Sequence, residues 1–148
     1  MRYWDTSALC KIYFREPDSS WYLSELIASY EPAFTSQITE IELYATLLRK
    51  EREGGFSQGE ARMRFLRFQG FCRQGTVVLV PCNTRVFEES KRIADLAYSR
   101  PEPILIRSLD LIQIASASVA RASAFVTADH RMRALASVMN MNVVTGTP

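Results

Sequence analysis

The sequence has few of the residues that build disulfide frameworks or zinc sites. Its 148 residues include three cysteines, Cys10, Cys72 and Cys82, and one histidine, His130. Because the cysteines are odd in number, form no C-x-x-C pair and follow no signal peptide, we expect reduced thiols in the cytoplasm rather than a disulfide framework. With so little cysteine and histidine, a metal site would be built from carboxylates, which bind hard cations.

Long apolar runs and a strong net charge are also missing. No run approaches the roughly 20 apolar residues that span a bilayer, so we expect a soluble protein without a membrane segment. The net charge of +2 is too small to identify a nucleic-acid-binding protein. The length and the hydrophobic fraction of 47% are typical of one folded unit, and we expect a single domain over residues 1–148.

Most of the positive charge is carried by arginine. Two basic clusters lie at residues 49–52 and 62–67. The planar guanidinium group pairs well with phosphate, which favours a nucleic-acid backbone as a ligand. The same arginines also suit the solvent-facing side of amphipathic helices, and the clusters alone do not decide between these two interpretations.

Segments of strand and helix character alternate along the chain. Short runs at residues 1–5, 32–35, 76–80, 124–128 and 142–145 predict strands, and residues 76–80 form a continuous apolar run of the kind buried on both faces of a sheet. Between the strands, apolar residues recur at helical spacing. Strands that alternate with helices pair in parallel through crossover connections. The sequence therefore predicts an α/β fold in which a parallel β-sheet is flanked by helices on both faces.

Two of the predicted helices form an antiparallel pair around Gly54 and Gly55. The first runs from about residue 37 to residue 53, and a capping-box pattern from Ser57 to Glu60 begins the second. The spacing of apolar residues predicts which side chains face the core. These are Ile38, Ile41, Ala45 and Leu48 in the first helix, and Met63, Leu66 and Phe71 in the second.

Four carboxylates occupy positions where an α/β sheet assembles a ligand site. Asp5 and Asp129 each end a predicted strand, and parallel sheets bind ligands beyond the carboxyl ends of their strands. Glu42 lies at or beside the apolar stripe of its helix, and Asp110 is surrounded by apolar residues. Because buried charges are paired or coordinate metals, the functional interpretation is one cation shared by all four. Without it, crowding should raise the pKa of at least one acid.

Each of these acids also has an ordinary structural explanation. Asp5 and Asp129 suit the N-cap of the helix that follows, where aspartate is worth about 1 kcal/mol over alanine. Glu42 fits the third position of a capping box that starts at Thr39. Asp110 fits the first turn of a helix, where a negative charge complements the helix dipole. Considered singly, none of the four requires a metal ion.

Four segments around the acids are similar to the motifs of one protein family, in the family's order. They are YWDTSAL at residues 3–9, SQITEIEL at 36–43, IRSLDLIQIA at 106–115 and FVTADHRM at 125–132. The sequence resembles the PIN domain family and, within it, the VapC-type toxins of bacterial toxin–antitoxin pairs. The resemblance implies a PIN-like three-layer α/β/α fold and a Mg²⁺-dependent endoribonuclease, with Mn²⁺ as an alternative ion.

The resemblance places the family's four catalytic acids at Asp5, Glu42, Asp110 and Asp129. Asp5 and Asp110 are expected to bind the metal directly, while Glu42 and Asp129 complete the cluster directly or through water. In such a site the ion activates a water molecule and offsets charge on the phosphate. Glu40 stands two residues from Glu42, so only one of these two glutamates faces the site.

Side chains near the acids are expected to bind the substrate. Thr6, Ser7 and Thr127 match family hydroxyl positions that bind a metal water or a phosphate, although ordinary turn and cap hydrogen bonds explain them equally well. Arg107 or the two arginine-rich helices are expected to bind the RNA backbone. Gln113 departs from the family pattern, because many relatives carry histidine there.

The family resemblance also implies protein partners. An antitoxin peptide is expected to cross the active-site cleft, and the chain is expected to form a homodimer. Phenylalanines around the second helix of the antiparallel pair exceed what one core stripe needs, which favours either a dimer contact or a partner groove, with the core as the alternative. They are Phe56, Phe65, Phe68 and Phe71.

Two other functions compete with the nuclease interpretation. A PIN-like scaffold without activity would bind RNA or a protein, although it would have no use for all four acids. A receiver-type phosphoryl-transfer protein would also place an aspartate after its first strand. That class needs a second acid two residues beyond Asp5, where Ser7 stands, and an aspartate after the third strand, where Pro81, Cys82 and Asn83 stand.

Overall fold

A five-stranded parallel sheet forms the centre of the structure, a computed structural model that describes residues 1–146. Its strands are β1 (Arg2–Trp4), β2 (Ala33–Ser36), β3 (Val77–Val80), β4 (Ala124–Val126) and β5 (Val143–Val144). They lie in the order β3-β2-β1-β4-β5, and every neighbouring pair is parallel. Each predicted strand is present, with ends that differ by one or two residues. The predicted parallel sheet is confirmed.

Helices connect the strands and cover both faces of the sheet. They are α1 (Thr6–Tyr13), α2 (Ser19–Ala28), α3 (Thr39–Arg52), α4 (Glu60–Arg73), α5 (Thr84–Tyr98), α6 (Ser108–Val119) and α7 (His130–Val138). The core on one face of the sheet is formed with α1 to α4, and the core on the other face with α5 to α7. The predicted three-layer α/β/α arrangement is confirmed.

Strand residues alternate between the two cores, which explains why the strands appear in the sequence as continuous apolar runs. Tyr3 of β1 and Phe125 of β4 stack on the α5–α7 side, with ring centroids 5.7 Å apart. Their neighbours Trp4 and Val126 belong to the core on the α1–α4 side. All four side chains are fully buried. Because both faces of the sheet are covered, a ligand site must lie at the ends of its strands.

The core-facing sides of α3 and α4 differ from the prediction. Leu43 and Leu47 are buried in α3, and Ala61 and Phe68 are buried in α4. Five residues predicted to face inward are exposed instead. They are Ala45, Ile41 by 63%, Leu48 by 44%, Met63 by 65% and Leu66 by 47%. The prediction was wrong because both helices carry apolar residues on two faces. Periodicity alone does not tell which face meets the sheet.

The phenylalanines around α4 pack into the core. Phe68 is fully buried and meets the Tyr13 ring edge-on, with centroids 6.0 Å apart. Phe65 stacks on Phe68 at 5.9 Å, and Phe56 and Phe71 pack against the same cluster. Phe68 is therefore closed to a partner, whereas Phe56, Phe65 and Phe71 are only partly buried, so a dimer contact or partner groove on these three rings stays a prediction.

Two further features concern membranes and thiols. Among residues 1–146, no helix combines the length and the apolar character needed to cross a bilayer. Cys10, Cys72 and Cys82 are free thiols, and Cys10 is buried.

The sheet changes its winding direction between β1 and β4. From β1 the chain winds outward through β2 to β3, and it then returns to the other side of β1 to form β4 and β5. The crossovers diverge at this point and leave a crevice outside the carboxyl ends of the two strands. Asp5 directly follows β1, and Asp129 is the N-cap of α7 shortly after β4. Both acids therefore reach the crevice.

Candidate active site

A cleft of about 630 Å³ opens at the carboxyl ends of β1 and β4. Residues from α1, α3 and α6 and from the loop before α7 line it. All four predicted acids are among them, namely Asp5, Glu42, Asp110 and Asp129. The cleft is also lined by Thr6, Ser7, Arg107 and Gln113. The fold thus gathers acids from four separate segments around one cavity.

Asp5 is the most buried of the four acids, at 3% exposure. Its carboxylate accepts hydrogen bonds from the Ser7 hydroxyl at 2.7 Å, the Ala8 backbone N–H at 2.9 Å and the Thr127 hydroxyl at 2.6 Å. Burial raises the pKa of Asp5 from 3.8 to about 6 against these hydrogen bonds, and the charge of Asp129 adds a smaller rise. The expected raised pKa is therefore found at Asp5, and burial is a larger cause than repulsion.

The hydroxyls beside Asp5 hold the site together. Thr127 is fully buried, and its hydroxyl donates to Asp5 and accepts the backbone N–H of Asp129 at 3.0 Å. Ser7 lines the cleft, donates to Asp5 and accepts the backbone N–H of Ala128 at 2.9 Å. Thr127 itself does not line the cleft, because its hydroxyl is turned inward and bonded to its neighbours, and its predicted contact with substrate stays a prediction.

Glu42 faces the cleft from the first turn of α3, whereas Glu40 does not line it. The Glu42 Oε2 atom accepts hydrogen bonds from Thr6 Oγ1 at 2.5 Å and from Gln113 Nε2 at 2.7 Å. The side chain of Thr39 is instead hydrogen-bonded to β2 and α6, so the capping-box alternative for Glu42 does not form. Of the two glutamates, Glu42 is thus the one that faces the cleft, and its role at a metal ion stays a prediction.

Gln113 is the centre of a hydrogen-bond network at the cleft that was not predicted from the sequence. It is 2% exposed, and its Nε2 atom lies between 2.7 and 2.9 Å from acceptors on Glu42, Thr6 and Thr39. Its Oε1 atom accepts a hydrogen bond from the Tyr3 hydroxyl at 2.6 Å. One amide thus connects α6 to α1, α3 and β1. The available signal was its place within an apolar helix, because a buried amide needs partners.

Asp110 and Asp129 are held by arginines of the chain. Arg107 donates to both Asp110 oxygens, at 2.8 and 3.2 Å, and its guanidinium also lies 4.0 Å from Asp129. Arg131 donates to Asp129 from its backbone and its side chain. Burial acts to raise the pKa of Asp129, but the hydrogen bonds from Arg131 outweigh it and keep that pKa below its ordinary value. Two of the four acids are therefore neutralised by the chain itself.

Three of the acids also have the structural roles that the sequence suggested. Asp5 caps α1, and Asp129 caps α7 by accepting backbone N–H groups. Asp110 lies in the first turn of α6. These roles do not exclude a ligand, because an ionised carboxylate offers about four lone-pair positions.

The oxygen donors of the cleft suit a hard divalent cation, although the acids do not converge on one point. In the part of the chain described here, no three Asp, Glu, His or Cys side chains lie close enough to share an ion. The positively charged guanidinium of Arg107 contacts Asp110 and Asp129, as a metal ion would. Asp5 faces the same cleft with neutral hydrogen-bond donors only. The oxygen atoms of these residues therefore suit a divalent metal ion. The Arg107 guanidinium neutralises two of the carboxylates that such an ion would bind.

The sequence and the fold both match known proteins. The PIN domain family matches residues 2–138. A structure described as VapBC2 from Rickettsia felis bound to a DNA fragment from their promoter is 16% identical, with a TM-score of 0.69 and 98% of each chain covered. FitAB bound to an IR36 DNA fragment is 16% identical, with a TM-score of 0.69, 99% of this chain and 95% of that chain covered.

A third structure, VapBC-1 from nontypeable Haemophilus influenzae, is 15% identical, with a TM-score of 0.65 and 100% of both chains covered. No curated protein matches the sequence significantly. At such identities the three structures establish similarity of fold. Because the family match extends over nearly the whole sequence, the chain belongs to the PIN domain family.

Proposed function

We propose that this chain is a Mg²⁺- or Mn²⁺-dependent endoribonuclease that acts as the toxin of a toxin–antitoxin pair. The observation that carries the proposal is the Asp5 carboxylate, which is buried at a cleft with the other three predicted acids and has no cation partner among residues 1–146. A metal ion would stabilise a buried charge of this kind. Membership of the PIN domain family and the VapC-type motifs around the acids support the nuclease role.

The four acids have distinct proposed roles toward the ion. Asp5 and Asp110 would hold it directly, and Glu42 and Asp129 would complete the set. Bound there, Mg²⁺ or Mn²⁺ would activate a water molecule and offset charge that develops on the phosphate. Carboxylate oxygens from four segments are the ligands that such hard cations prefer.

Hydrogen bonds within the chain orient the two acids that carry no arginine. Ser7 and Thr127 hold the Asp5 carboxylate against the start of α1. Gln113 holds Glu42 toward the cleft. Side chains fixed in this way lose little conformational entropy when a ligand binds, which favours a well-defined ion position.

Arg107 is proposed to exchange partners when the ion binds. In the structure its guanidinium neutralises Asp110 and approaches Asp129. A divalent cation would compete for the same carboxylates. The displaced guanidinium would then be available for a phosphate of the RNA, which is the role predicted for Arg107 from the sequence.

Replacing Arg107 with glutamine should strengthen metal binding. The Arg107 side chain is 68% exposed, so its ion pair is worth about 0.2–1 kcal/mol, and its loss should lower the Mn²⁺ dissociation constant by up to about fivefold. Isothermal titration calorimetry measures this change. Arg92→Gln is the matched control, because Arg92 and Glu89 form a similar pair on α5 outside the cleft. Weaker Mn²⁺ binding by Arg107→Gln would contradict the exchange.

Metal-dependent cleavage of RNA tests the proposed activity directly. The purified protein should cleave RNA in the presence of Mg²⁺ or Mn²⁺, should lose this activity in EDTA, and should leave DNA of the same sequence intact. RNA binding without cleavage under any of these conditions would support the non-catalytic scaffold instead.

A cognate antitoxin and a second copy of this chain are the proposed protein partners. The described surface of α3 and α4 exposes four large apolar side chains, Ile41, Leu48, Met63 and Leu66. Apolar side chains that cluster on a surface mark interaction sites. Light scattering of the chain alone, and with the product of the adjacent upstream reading frame, tests both partners. A chain that stays monomeric and does not bind the neighbouring gene product would rule out both proposed partners.

A further inference from the structure

The cleft continues away from the acids along the groove between α1 and α3. From Glu42 to Lys50 the distance along the α3 axis is about 12 Å, at a rise of 1.5 Å per residue. The side chains that line this groove follow helical spacing on both sides. They are Thr6 and Cys10 of α1, then Phe14, and Glu42, Thr46, Arg49 and Lys50 of α3. A nucleic-acid strand with one phosphate at the acids could therefore place further phosphates along this groove.

The end of the groove far from the acids carries unused positive charge. Lys11, Arg49 and Lys50 line it together with Glu16. Lys11 is neutralised by two carboxylates, 2.5 and 2.8 Å away. Lys50 has one carboxylate contact, a long one of 3.5 Å with Glu16, and its ammonium lies 5.2 Å from the centroid of the Phe14 ring. Arg49 is exposed, and among residues 1–146 its side chain forms no hydrogen bond or ion pair. Arg49 and Lys50 are therefore the cations available to a ligand.

The second arginine cluster of the sequence does not reach this groove. Arg64 is engaged within the chain, where it donates to the backbone carbonyl of Tyr13. Arg62 and Arg67 are exposed on α4 and do not line the cleft. The fold thus separates two clusters that look equivalent in the sequence.

We infer that an RNA strand runs along the groove between α1 and α3, where Arg49 and Lys50 hold the phosphates that flank the one at the acids. The inference rests on the proposed ribonuclease function for its choice of RNA. Arg49 supplies a planar fork and Lys50 a compact charge on the same turn of α3. The phosphates of an RNA strand repeat regularly. They can therefore bind the arginine and lysine at one end of the groove and, at the same time, a cation held by the acids at the other end. A peptide with charge in only one short segment could not bind both ends.

Oligonucleotide binding tests the path of the strand without cleavage. A labelled single-stranded oligouridylate is titrated in EDTA and followed by fluorescence anisotropy at several salt concentrations. Each lost phosphate contact should reduce the salt slope by about 0.7. For the Arg49→Gln, Lys50→Gln double variant, the affinity lost between about 50 and 200 mM salt should therefore shrink roughly sevenfold. The Arg62→Gln, Arg67→Gln double variant removes the same charge from α4 and should bind like the wild type.

Equal affinities and salt slopes for the two double variants would overturn the inference. If the Arg49→Gln, Lys50→Gln variant lost affinity only for the product of the adjacent upstream reading frame, the groove would belong to a protein partner, and the inference would again be wrong. Failure of the proposed function has a different signature. In that case the wild type would not cleave RNA with metal, while the difference in salt slope would persist.

Discussion

Replacing Asp5 with asparagine should abolish metal-dependent RNA cleavage and stabilise the metal-free protein at pH 7.5. Burial raises the pKa of Asp5 from 3.8 to about 6, and each unit corresponds to about 1.4 kcal/mol, so the charged form costs the folded state about 3 kcal/mol. Asparagine keeps the shape of the side chain and removes its charge. The melting temperature in EDTA should rise by roughly 5 °C or more.

The stability gain of this variant should depend on pH in a defined direction. Because the pKa of Asp5 is higher in the folded state than in the unfolded state, protonation of Asp5 stabilises the fold fully below pH 3.8, and this contribution is lost as the pH rises through about 6. The wild type should therefore match the variant closely at about pH 4, fall below it in stability as the pH rises to about 6, and keep a constant deficit at higher pH.

Calorimetric melting in EDTA over this pH range measures the effect. Asp95→Asn is the control, because Asp95 is exposed on α5 and does not line the cleft. It should leave the pH dependence unchanged. Added Mg²⁺ should stabilise the wild type and not the Asp5→Asn variant. An Asp5→Asn protein that melts below the wild type at pH 7.5 in EDTA would show that the buried charge is already compensated.

Replacing Glu42 with glutamine should reduce metal-dependent cleavage at least about a hundredfold, whereas Glu40→Gln should retain most of it. The two glutamates are about 200° apart around the axis of α3, and Glu42 is the one that lines the cleft. Glutamine preserves the oxygen that accepts from Thr6 and Gln113. The loss would therefore report the missing charge rather than a misfolded helix.

Initial rates with Mn²⁺, together with Mn²⁺ titrations of both variants, separate binding from chemistry. The Glu42→Gln protein should bind Mn²⁺ more weakly, and the Glu40→Gln protein should bind it like the wild type. Similar losses in both variants, with unchanged melting temperatures, would mean that the proposed role of Glu42 at the ion is wrong.

The sheet and the location of the acids could be predicted from the sequence because both depend on local signals. A strand buried on two faces is a short continuous apolar run, and the acid after such a run falls at the carboxyl edge of the sheet. Asp5 shows this directly, since it follows β1 without an intervening residue. No long-range information is needed for either step.

The choice of helix face could not be predicted in the same way. In α3 the stripe that contains Ile41 and Leu48 is as apolar as the stripe that contains Leu43 and Leu47, yet only the second is buried. The position of the sheet decides between them, and that position depends on segments far away in the sequence. The prediction failed where two local signals had equal strength.

The side chains that pair with the acids also could not be predicted from the sequence. Arg107 and Asp110 are three residues apart, so the sequence is compatible with an ion pair between them, but it equally allows Arg107 to contact RNA. The hydrogen bond from Gln113 to Glu42 joins residues that are 71 positions apart. Only the packing of α6 against α3 and β1 brings them together.

The amide of Gln113 has a consequence for how the cleft responds to acidity. An imidazole at this position would gain or lose a proton near neutral pH and would change from acceptor to donor at one nitrogen. A carboxamide keeps one acceptor and two donor hydrogens at every physiological pH. The amide therefore offers Tyr3, Thr6 and Thr39 the same acceptor and donors while the medium acidifies. Sensitivity to protons is left to Asp5, because burial raises its pKa to about 6.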